Sequence, residues 1–123
     1  MRSNFENDEN SVVGIFRNNE IVGLAVLETR NDADGSPYGW IQFYYVSPKW
    51  RRYGFGTELV RYSAEYYFSH GLTEMRLRVG KYNIAAQTFY IKNGFTYAPE
   101  GDKNSLFGVK ALMMKRAIGA ILK

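Results

Sequence analysis

The first half of the chain alternates short apolar runs with turn residues, as antiparallel strands do. Residues 11–16 and 21–27 are predicted strands joined by a tight turn at Asn18–Asn19, and residues 40–46 form a third strand. Residues 30–38, rich in Asn, Asp, Gly and Pro, form the intervening loop. Because residues 21–27 are apolar on both faces, we expect that strand at the centre of its sheet.

From residue 54 to residue 70 the apolar period becomes helical. Gly71 follows as a left-handed cap, and the alternation of residues 75–79 predicts a half-buried strand. The residues that share the apolar face of the helix are Phe55, Leu59, Ser63, Tyr66 and Tyr67.

The second half predicts one more helix and two more strands. Asn83 is a suitable N-cap for a helix over residues 84–92, which Gly94 ends. Residues 95–98 are short and extended, and residues 109–118 form the last strand. This order predicts an α/β or α+β fold with one mixed sheet and helices packed on it. At 123 residues we expect a single domain over residues 1–123, with the polar residues 1–10 flexible.

Composition excludes several kinds of site. The chain has no Cys, so it has neither disulfides nor a thiolate metal site, and its single His70 rules out a multi-histidine metal site. We expect no metal. No apolar run is long enough to span a bilayer and no signal peptide opens the chain, so we expect a cytoplasmic protein without a membrane partner. The net charge of +4 only weakly favours an anionic ligand.

One segment combines arginines and glycines between a strand and a helix. Residues 51–56 read Arg-Arg-Tyr-Gly-Phe-Gly and precede the first predicted helix. Helix N-termini present unpaired N–H groups, glycines allow a close backbone approach, and arginines add forked donors. This combination favours a pyrophosphate, although the tripeptide Gly54-Phe55-Gly56 alone favours a plain strand-to-helix turn.

Two other phosphate motifs do not fit. A dinucleotide fingerprint needs a third glycine where this chain has Leu59, and an acidic residue where it has Lys81. A Walker loop needs Gly-Lys-Ser/Thr, whereas Thr57-Glu58 follows Gly56.

Two motifs together resemble the GNAT superfamily of N-acetyltransferases. Residues 46–48 (Val-Ser-Pro) followed by Arg51-x-x-Gly54-x-Gly56 resemble its acyl-CoA motif. Residues 83–95, which read Asn-x-x-Ala-x-x-Phe-Tyr-x-Lys-x-Gly-Phe, are similar to its downstream signature. The pair has the order and separation of the family, and the resemblance covers residues 11–118.

The resemblance implies a mostly antiparallel sheet whose third and fourth predicted strands splay apart around coenzyme A. The pantetheine arm would pair with the backbone of residues 44–47, and the pyrophosphate would lie on the amides of residues 51–57. The residues implied to bind acetyl-CoA, the cosubstrate, are Tyr45, Val46, Ser47, Arg51, Arg52, Tyr53, Gly54, Phe55, Gly56, Thr57, Asn83 and Ala86. Asn83 could equally be a plain helix cap.

Tyr90 matches the family tyrosine that donates a proton to the coenzyme A sulfur. A phenol with a pKa of about 10 stays protonated at neutral pH and can protonate a thiolate. The alternative is a core tyrosine on an amphipathic helix. A backbone N–H near Val46 would stabilise the oxyanion.

No residue is an obvious general base. The resemblance implies a glutamate on the third strand, but Gln42 stands there and cannot accept a proton. A water chain or Glu28 could replace it, although Glu28 is also typical of a solvated strand end. We expect His70 to cap a helix far from the site.

The resemblance implies that the acceptor is a primary amine of a small molecule or protein, which the sequence does not identify. The family usually begins with a strand and two helices that form one wall of the acceptor site, whereas the recognisable pattern here starts at the following hairpin. We expect a homodimer to cover the exposed sheet face.

Two alternatives to an active acetyltransferase remain open. The first is a non-catalytic acyl-CoA-binding module, favoured by the missing base. The second is a nucleic-acid-binding domain that uses Arg76, Arg78, Lys81 and Lys92. It ranks well below because no nucleic-acid-binding signature is present, so nucleic acid is not an expected partner.

Overall fold

A computed structural model describes residues 2–6, 10–104 and 110–119 of the chain. The strands are β1 (Arg2–Glu6), β2 (Asn10–Arg17), β3 (Glu20–Asn31), β4 (Pro37–Val46), β5 (Glu74–Gly80), β6 (Thr96–Tyr97), β7 (Lys103–Asn104) and β8 (Lys110–Ala117). The helices are α1 (Phe55–Ser69) and α2 (Ile84–Lys92), and short 3-10 turns span Pro48–Trp50 and Pro99–Gly101.

These strands form one sheet in the order β1-β2-β3-β4-β5-β8-β6, and β7 also pairs with β8. Its neighbouring pairs are antiparallel except β4 and β5, which run parallel. Parallel neighbours need a long crossover connection, which α1 provides here. The predicted fold class, a mixed and mostly antiparallel sheet flanked by helices, is confirmed.

The N-terminus differs from the expectation of a flexible segment. Residues 2–6 form β1, which pairs antiparallel with β2 in the register Arg2–Ile15 to Glu6–Ser11. Three residues separate β1 from β2, fewer than one helical turn. The polar sequence of β1 lacks a strand pattern, so the ladder with β2 decides its conformation.

The β2–β3 hairpin turns at Asn18 and Asn19, both with positive φ (52° and 65°), as a two-residue hairpin turn requires. As predicted, β3 lies in the middle of the sheet, between β2 and β4. It is longer than expected, because pairing continues to Arg30–Tyr38 and Asn31–Pro37. The predicted loop over residues 30–38 therefore shortens to residues 32–36.

The C-terminal strands also differ in their bounds. The expected strand over residues 109–118 spans Lys110–Ala117, and Val109 lies outside the described residues. The extended segment at residues 95–98 pairs with β8 only at Thr96 and Tyr97. The short β7 was not predicted, since two paired residues leave no periodic pattern.

The predicted face of α1 packs on the sheet. Phe55, Leu59, Ser63 and Tyr67 are buried and Tyr66 is half-buried. The caps are also as predicted, because Gly71 has φ +78° and the Asn83 side chain accepts a hydrogen bond from the Ala86 amide (3.2 Å) at the start of α2. The buried sheet residues beneath the helices include Val13, Ala25, Leu27, Ile41, Met75, Leu77 and Met114.

The opposite sheet face carries a second, smaller cluster of Trp40, Ala98 and Met113, with Tyr38 packed against it. Two guanidinium groups lie over the Trp40 ring, that of Arg30 at 4.5 Å and that of Arg78 at 4.8 Å from its centroid. This face is therefore built from aromatic rings and arginines.

Candidate active site

The strands β4 and β5 part in the middle of the sheet. They pair only at Gly39–Met75, Trp40–Arg76 and Ile41–Leu77, while β4 continues to Val46 and β5 to Gly80. Beyond Ile41 the facing edges have no ladder between them, so their backbone groups are available to a ligand. The predicted splay is confirmed.

A β-bulge lies directly after the last β4–β5 pair. Leu27 pairs with Ile41 and Val26 pairs with Phe43, which leaves Gln42 as the extra residue of β4. A bulge bends its strand and increases the local twist, so it helps to turn β4 away from β5. Sequence analysis missed it because a bulge in an apolar strand leaves no compositional signal.

A cleft of about 430 Å³ opens between the parted strand and the two helices. It brings together six of the predicted site residues: Val46, Arg51, Gly56, Asn83, Ala86 and Tyr90. The cleft also includes Tyr44, whose backbone was expected to pair with the pantetheine arm, and three residues that were not predicted: Leu59, Ala85 and Phe89. Tyr44 precedes Val46 by two residues and so shares its strand face.

The other predicted residues do not line this cleft. Phe55 is buried in the core and Tyr53 is exposed, with a ring contact to Trp50 (6.0 Å). Gly54 and Thr57 line a neighbouring depression of about 500 Å³ on the outer side of α1. Neither cleft nor depression includes Tyr45, Ser47 or Arg52.

The N-terminus of α1 provides free amides next to the cleft. Its first helical hydrogen bond runs from the Glu58 N–H to the Gly54 carbonyl (3.0 Å), so residues 55–57 have no intrahelical acceptor. Gly54 precedes them with φ +83°, and no side chain caps the helix within the described segment. Such a terminus attracts an anion through its N–H groups and its macrodipole.

Gly56 holds the two helices close together. A Cβ atom at this position would lie 2.9 Å from the Phe89 ring of α2. The glycine therefore has a packing reason beside the predicted phosphate role, and any side chain here would displace Phe89.

Arg51 reaches back over the parted strand. Its Nε donates to the Val46 carbonyl at 3.0 Å, while the side chain stays at the surface. This contact places a guanidinium between the free edge of β4 and the N-terminus of α1. The Arg51 guanidinium therefore adds positive charge between the free backbone groups of β4 and the free amides at the start of α1.

Tyr90 lies on α2 against the parted strand, with its ring 6.3 Å from that of Tyr44 and 5.5 Å from that of Phe95. Its hydroxyl makes no hydrogen bond to any residue the structure describes. Burial raises the pKa of Tyr90, because the apolar surroundings disfavour the phenolate. The hydroxyl is therefore a protonated donor facing the cleft.

Tyr44 differs from Tyr90 because its hydroxyl is already engaged. It donates to Ser63 Oγ (2.7 Å), which in turn donates to the Leu59 carbonyl (2.7 Å). Burial also raises the pKa of Tyr44. Of the two neighbouring phenols, only Tyr90 has a proton free for a ligand.

A second cavity of about 260 Å³ lies in the gap between the strands. Its lining residues are Ile41, Gln42, Tyr44, Leu77, Arg78, Val79, Gly80, Asn83, Ala86 and Tyr90. It shares Tyr44, Asn83, Ala86 and Tyr90 with the first cleft. The two cavities therefore meet at Tyr90, one towards the helices and one within the sheet.

Gln42, at the position where a glutamate base was expected, and the possible replacement Glu28 are both engaged by other side chains. Gln42 Oε1 accepts hydrogen bonds from Trp40 Nε1 (3.0 Å) and Arg30 Nη2 (3.3 Å). Glu28 forms an ion pair with Arg30 (3.2 Å) and lines neither cavity. His70 follows α1 as its C-cap, as predicted.

The described residues contain no group of three or more side chains suited to a metal ion. In the same part of the chain, no helix is both long and apolar enough to cross a membrane.

The family assignment rests on a match in sequence. The family model described as the acetyltransferase (GNAT) family matches residues 1–95, more than half of the chain. The chain belongs to the GNAT family of acetyltransferases. The GNAT match spans α1, the phosphate segment and α2, and no curated protein matches the chain significantly.

Solved structures of GNAT proteins share the fold. A nourseothricin acetyltransferase is 20% identical with a TM-score of 0.78, over 90% of this chain and 66% of its own. A Bacillus anthracis protein assigned as a streptothricin acetyltransferase, in complex with acetyl coenzyme A, is 21% identical with a TM-score of 0.76 (90% and 64%). The ribosomal-protein-S18-alanine N-acetyltransferase of Escherichia coli is 20% identical with a TM-score of 0.71 (92% and 72%).

At these identities the likeness establishes the fold. This GNAT chain spans about two thirds of the length of the first two structures.

Proposed function

We propose that this protein transfers the acetyl group of acetyl-CoA to a primary amine. The observation that carries the proposal is the meeting of the splayed strands, the start of α1 at Gly56 and the side chain of Tyr90 at one cleft, with the free amides of residues 55–57 beside it. The GNAT family uses acetyl-CoA, and one structure of the same fold was solved with it.

Coenzyme A would lie along the cleft, oriented by the unpaired edge of β4 and the free amides at the start of α1. Its pantetheine amides would pair with the unpaired edge of β4, where β5 no longer competes. Its pyrophosphate would accept hydrogen bonds from residues 55–57 at the start of α1, with Arg51 nearby. The thioester would then come close to Tyr90.

The reaction is a direct attack. The amine nitrogen forms a bond to the thioester carbonyl carbon, and a backbone N–H near Val46 stabilises the oxyanion. The intermediate expels the thiolate by breaking the carbon–sulfur bond. Tyr90 donates its proton to the sulfur, the nitrogen that became positively charged on forming the carbon–nitrogen bond loses a proton to water, and Tyr90 regains a proton from solvent.

The amine must arrive without its proton. Among the described residues, no aspartate or glutamate lines either cavity, so none of these carboxylates is placed to act as the base. For an alkylamine, loss of the proton at pH 7 costs about 4–5 kcal/mol. We propose that water in the strand gap accepts this proton.

The lack of a carboxylate among the described lining residues also favours a second candidate function, a module that binds acyl-CoA without turnover. Thermal shift with acetyl-CoA tests both functions, because binding at 100 times the dissociation constant stabilises by about 2.7 kcal/mol. Thiol release across a panel of amines separates them. No thermal shift at millimolar acetyl-CoA contradicts both.

Thr57→Glu tests the phosphate site. Thr57 is exposed in the first turn of α1, where a carboxylate is compatible with the helix but repels a pyrophosphate. We expect a folded variant with acetyl-CoA affinity about tenfold or more weaker. Thr57→Gln is the matched neutral control, and equal affinity in the two variants would contradict the assignment.

A further inference from the structure

One cation in the strand gap has no acidic partner. Arg78 lies on β5 directly beyond the last pair with β4, and it lines the gap cavity. Its Nε donates to the Gly101 carbonyl (3.2 Å), and its guanidinium lies 4.8 Å from the Trp40 ring centroid. These contacts fix the group, while Nη1 and Nη2 form no hydrogen bond or ion pair with the described residues.

The described carboxylates near Arg78 pair with other cations, and Asp102, which follows Gly101, pairs with Lys110 (3.9 Å). Glu28 pairs with Arg30 (3.2 Å), and Asp32 pairs with Arg76 through two hydrogen bonds of 2.8 and 2.9 Å. Glu74 also pairs with Arg76. Among the described residues, the acidic groups near Arg78 are therefore paired elsewhere, and the charge of Arg78 is left to the cavity.

Gln42 contributes a second donor to the same cavity. Its Oε1 accepts from Trp40 and Arg30, and this pattern fixes which end of the amide is oxygen. The remaining NH₂ group donates and does not accept. Two polar side chains of the gap cavity thus present donors, with no carboxylate beside them.

We infer that the acceptor is a small primary amine that also carries an anionic group, a carboxylate or a phosphate, which Arg78 and Gln42 bind. The inference rests on the proposed acetyl transfer and names the substrate class of the same site. A cavity of about 260 Å³ suits a molecule of few heavy atoms. A fixed cation near the amine also lowers its pKa, which favours the neutral nucleophile where no carboxylate base is present.

The test compares four amines of similar length. β-Alanine carries a carboxylate, O-phosphoethanolamine a phosphate, 3-amino-1-propanol a neutral hydroxyl and 1,3-diaminopropane a second cation. We expect kcat/KM from thiol release to favour an anionic amine over the alcohol by about 10- to 100-fold, with the diamine lowest. The first two amines tell carboxylate from phosphate.

Arg78→Met keeps an unbranched stem to pack on Trp40 and removes the charge. We expect it to abolish the preference for anionic amines, and Arg78→Lys, which keeps charge without the fork, to retain part of it. Lys92→Gln removes an exposed charge on α2 and should leave the preference unchanged. A diamine preferred by the parent, or an anion preference that survives Arg78→Met, would overturn the inference.

Calorimetry with the coenzyme A-bound protein separates this inference from the proposed function. Binding of an anionic amine that Arg78→Met abolishes, without thiol release from any amine, supports the anion site and refutes acetyl transfer. Thiol release with no preference for the anionic amines supports acetyl transfer and refutes the anion site.

Discussion

At the residue scale, two tyrosines of similar burial have different tasks. Tyr44 donates a hydrogen bond to Ser63 Oγ, while the Tyr90 hydroxyl has no hydrogen-bond partner among the described residues. The motif pointed to Tyr90, but the residues alone equally allowed a core tyrosine. The hydrogen bond from Tyr44 to Ser63 distinguishes the two residues, because it occupies the Tyr44 hydroxyl and leaves Tyr90 as the proton donor for a ligand.

Tyr90→Phe should lower turnover by about 10²–10⁴-fold where chemistry limits the rate, because it removes the acid but keeps the ring. Acetyl-CoA affinity should change little. Because burial raises the pKa of Tyr90 above the ordinary value of a phenol, Tyr90 keeps its proton to a higher pH than a free phenol, and the parent rate should not fall through loss of this proton between pH 7 and 9.

Stopped-flow or initial-rate thiol release measures this effect. Tyr82→Phe, which removes a hydroxyl from an exposed ring outside both cavities, is the control and should behave as the parent. Unchanged turnover in Tyr90→Phe would return Tyr90 to a packing role.

At the element scale, close contacts between helices and strands position the site. Gly39, on the last paired stretch of β4, lies against the Tyr67 ring of α1, and Tyr67 donates to the Trp40 carbonyl (2.9 Å). This contact fixes the C-terminal turn of α1 against the stretch where β4 and β5 are still paired.

Gly39→Ala should destabilise the protein by about 1–3 kcal/mol, because the new Cβ would lie 2.6 Å from the Tyr67 ring. Urea denaturation measures the change. Gly80→Ala is the matched strand control, since its Cβ would have its nearest neighbour at 3.9 Å. Equal effects in both variants would mean that loss of glycine, and not the contact, sets the cost.

At the scale of the whole molecule, three buried phenols link stability to pH. Burial raises the pKa of Tyr44, Tyr67 and Tyr90 above the ordinary value near 10. The unfolded chain therefore loses these protons first as pH rises. Their contribution is constant at lower pH and turns unfavourable to folding once pH exceeds about 10.

We expect the free energy of unfolding to fall between pH 9 and about 11, as measured by urea denaturation at each pH. Tyr67→Phe should lower stability at pH 8 through its lost hydrogen bond and reduce the slope above pH 10. A slope that the variant leaves unchanged would exclude Tyr67 as a source.

The expected homodimer stays a prediction, which a single chain does not test.

The sequence by itself determined the elements with strong periodicity and the chemistry with fixed spacing. The hairpin at Asn18–Asn19, both helices and the half-buried β5 followed from local pattern and caps. The motifs gave the family and the segment Arg51–Gly56. These features depend on neighbours in the chain, so they leave a local signal.

Only the tertiary structure decided the features that depend on distant partners. The strand β1 exists through its ladder with β2, the bulge at Gln42 through its register with β3, and the packing role of Gly56 through Phe89. The unpaired charge of Arg78 is visible only after Asp32 and Glu74 are seen to pair with Arg76. Strand pairing and burial depend on residues that are far apart in sequence, so no local pattern predicts them.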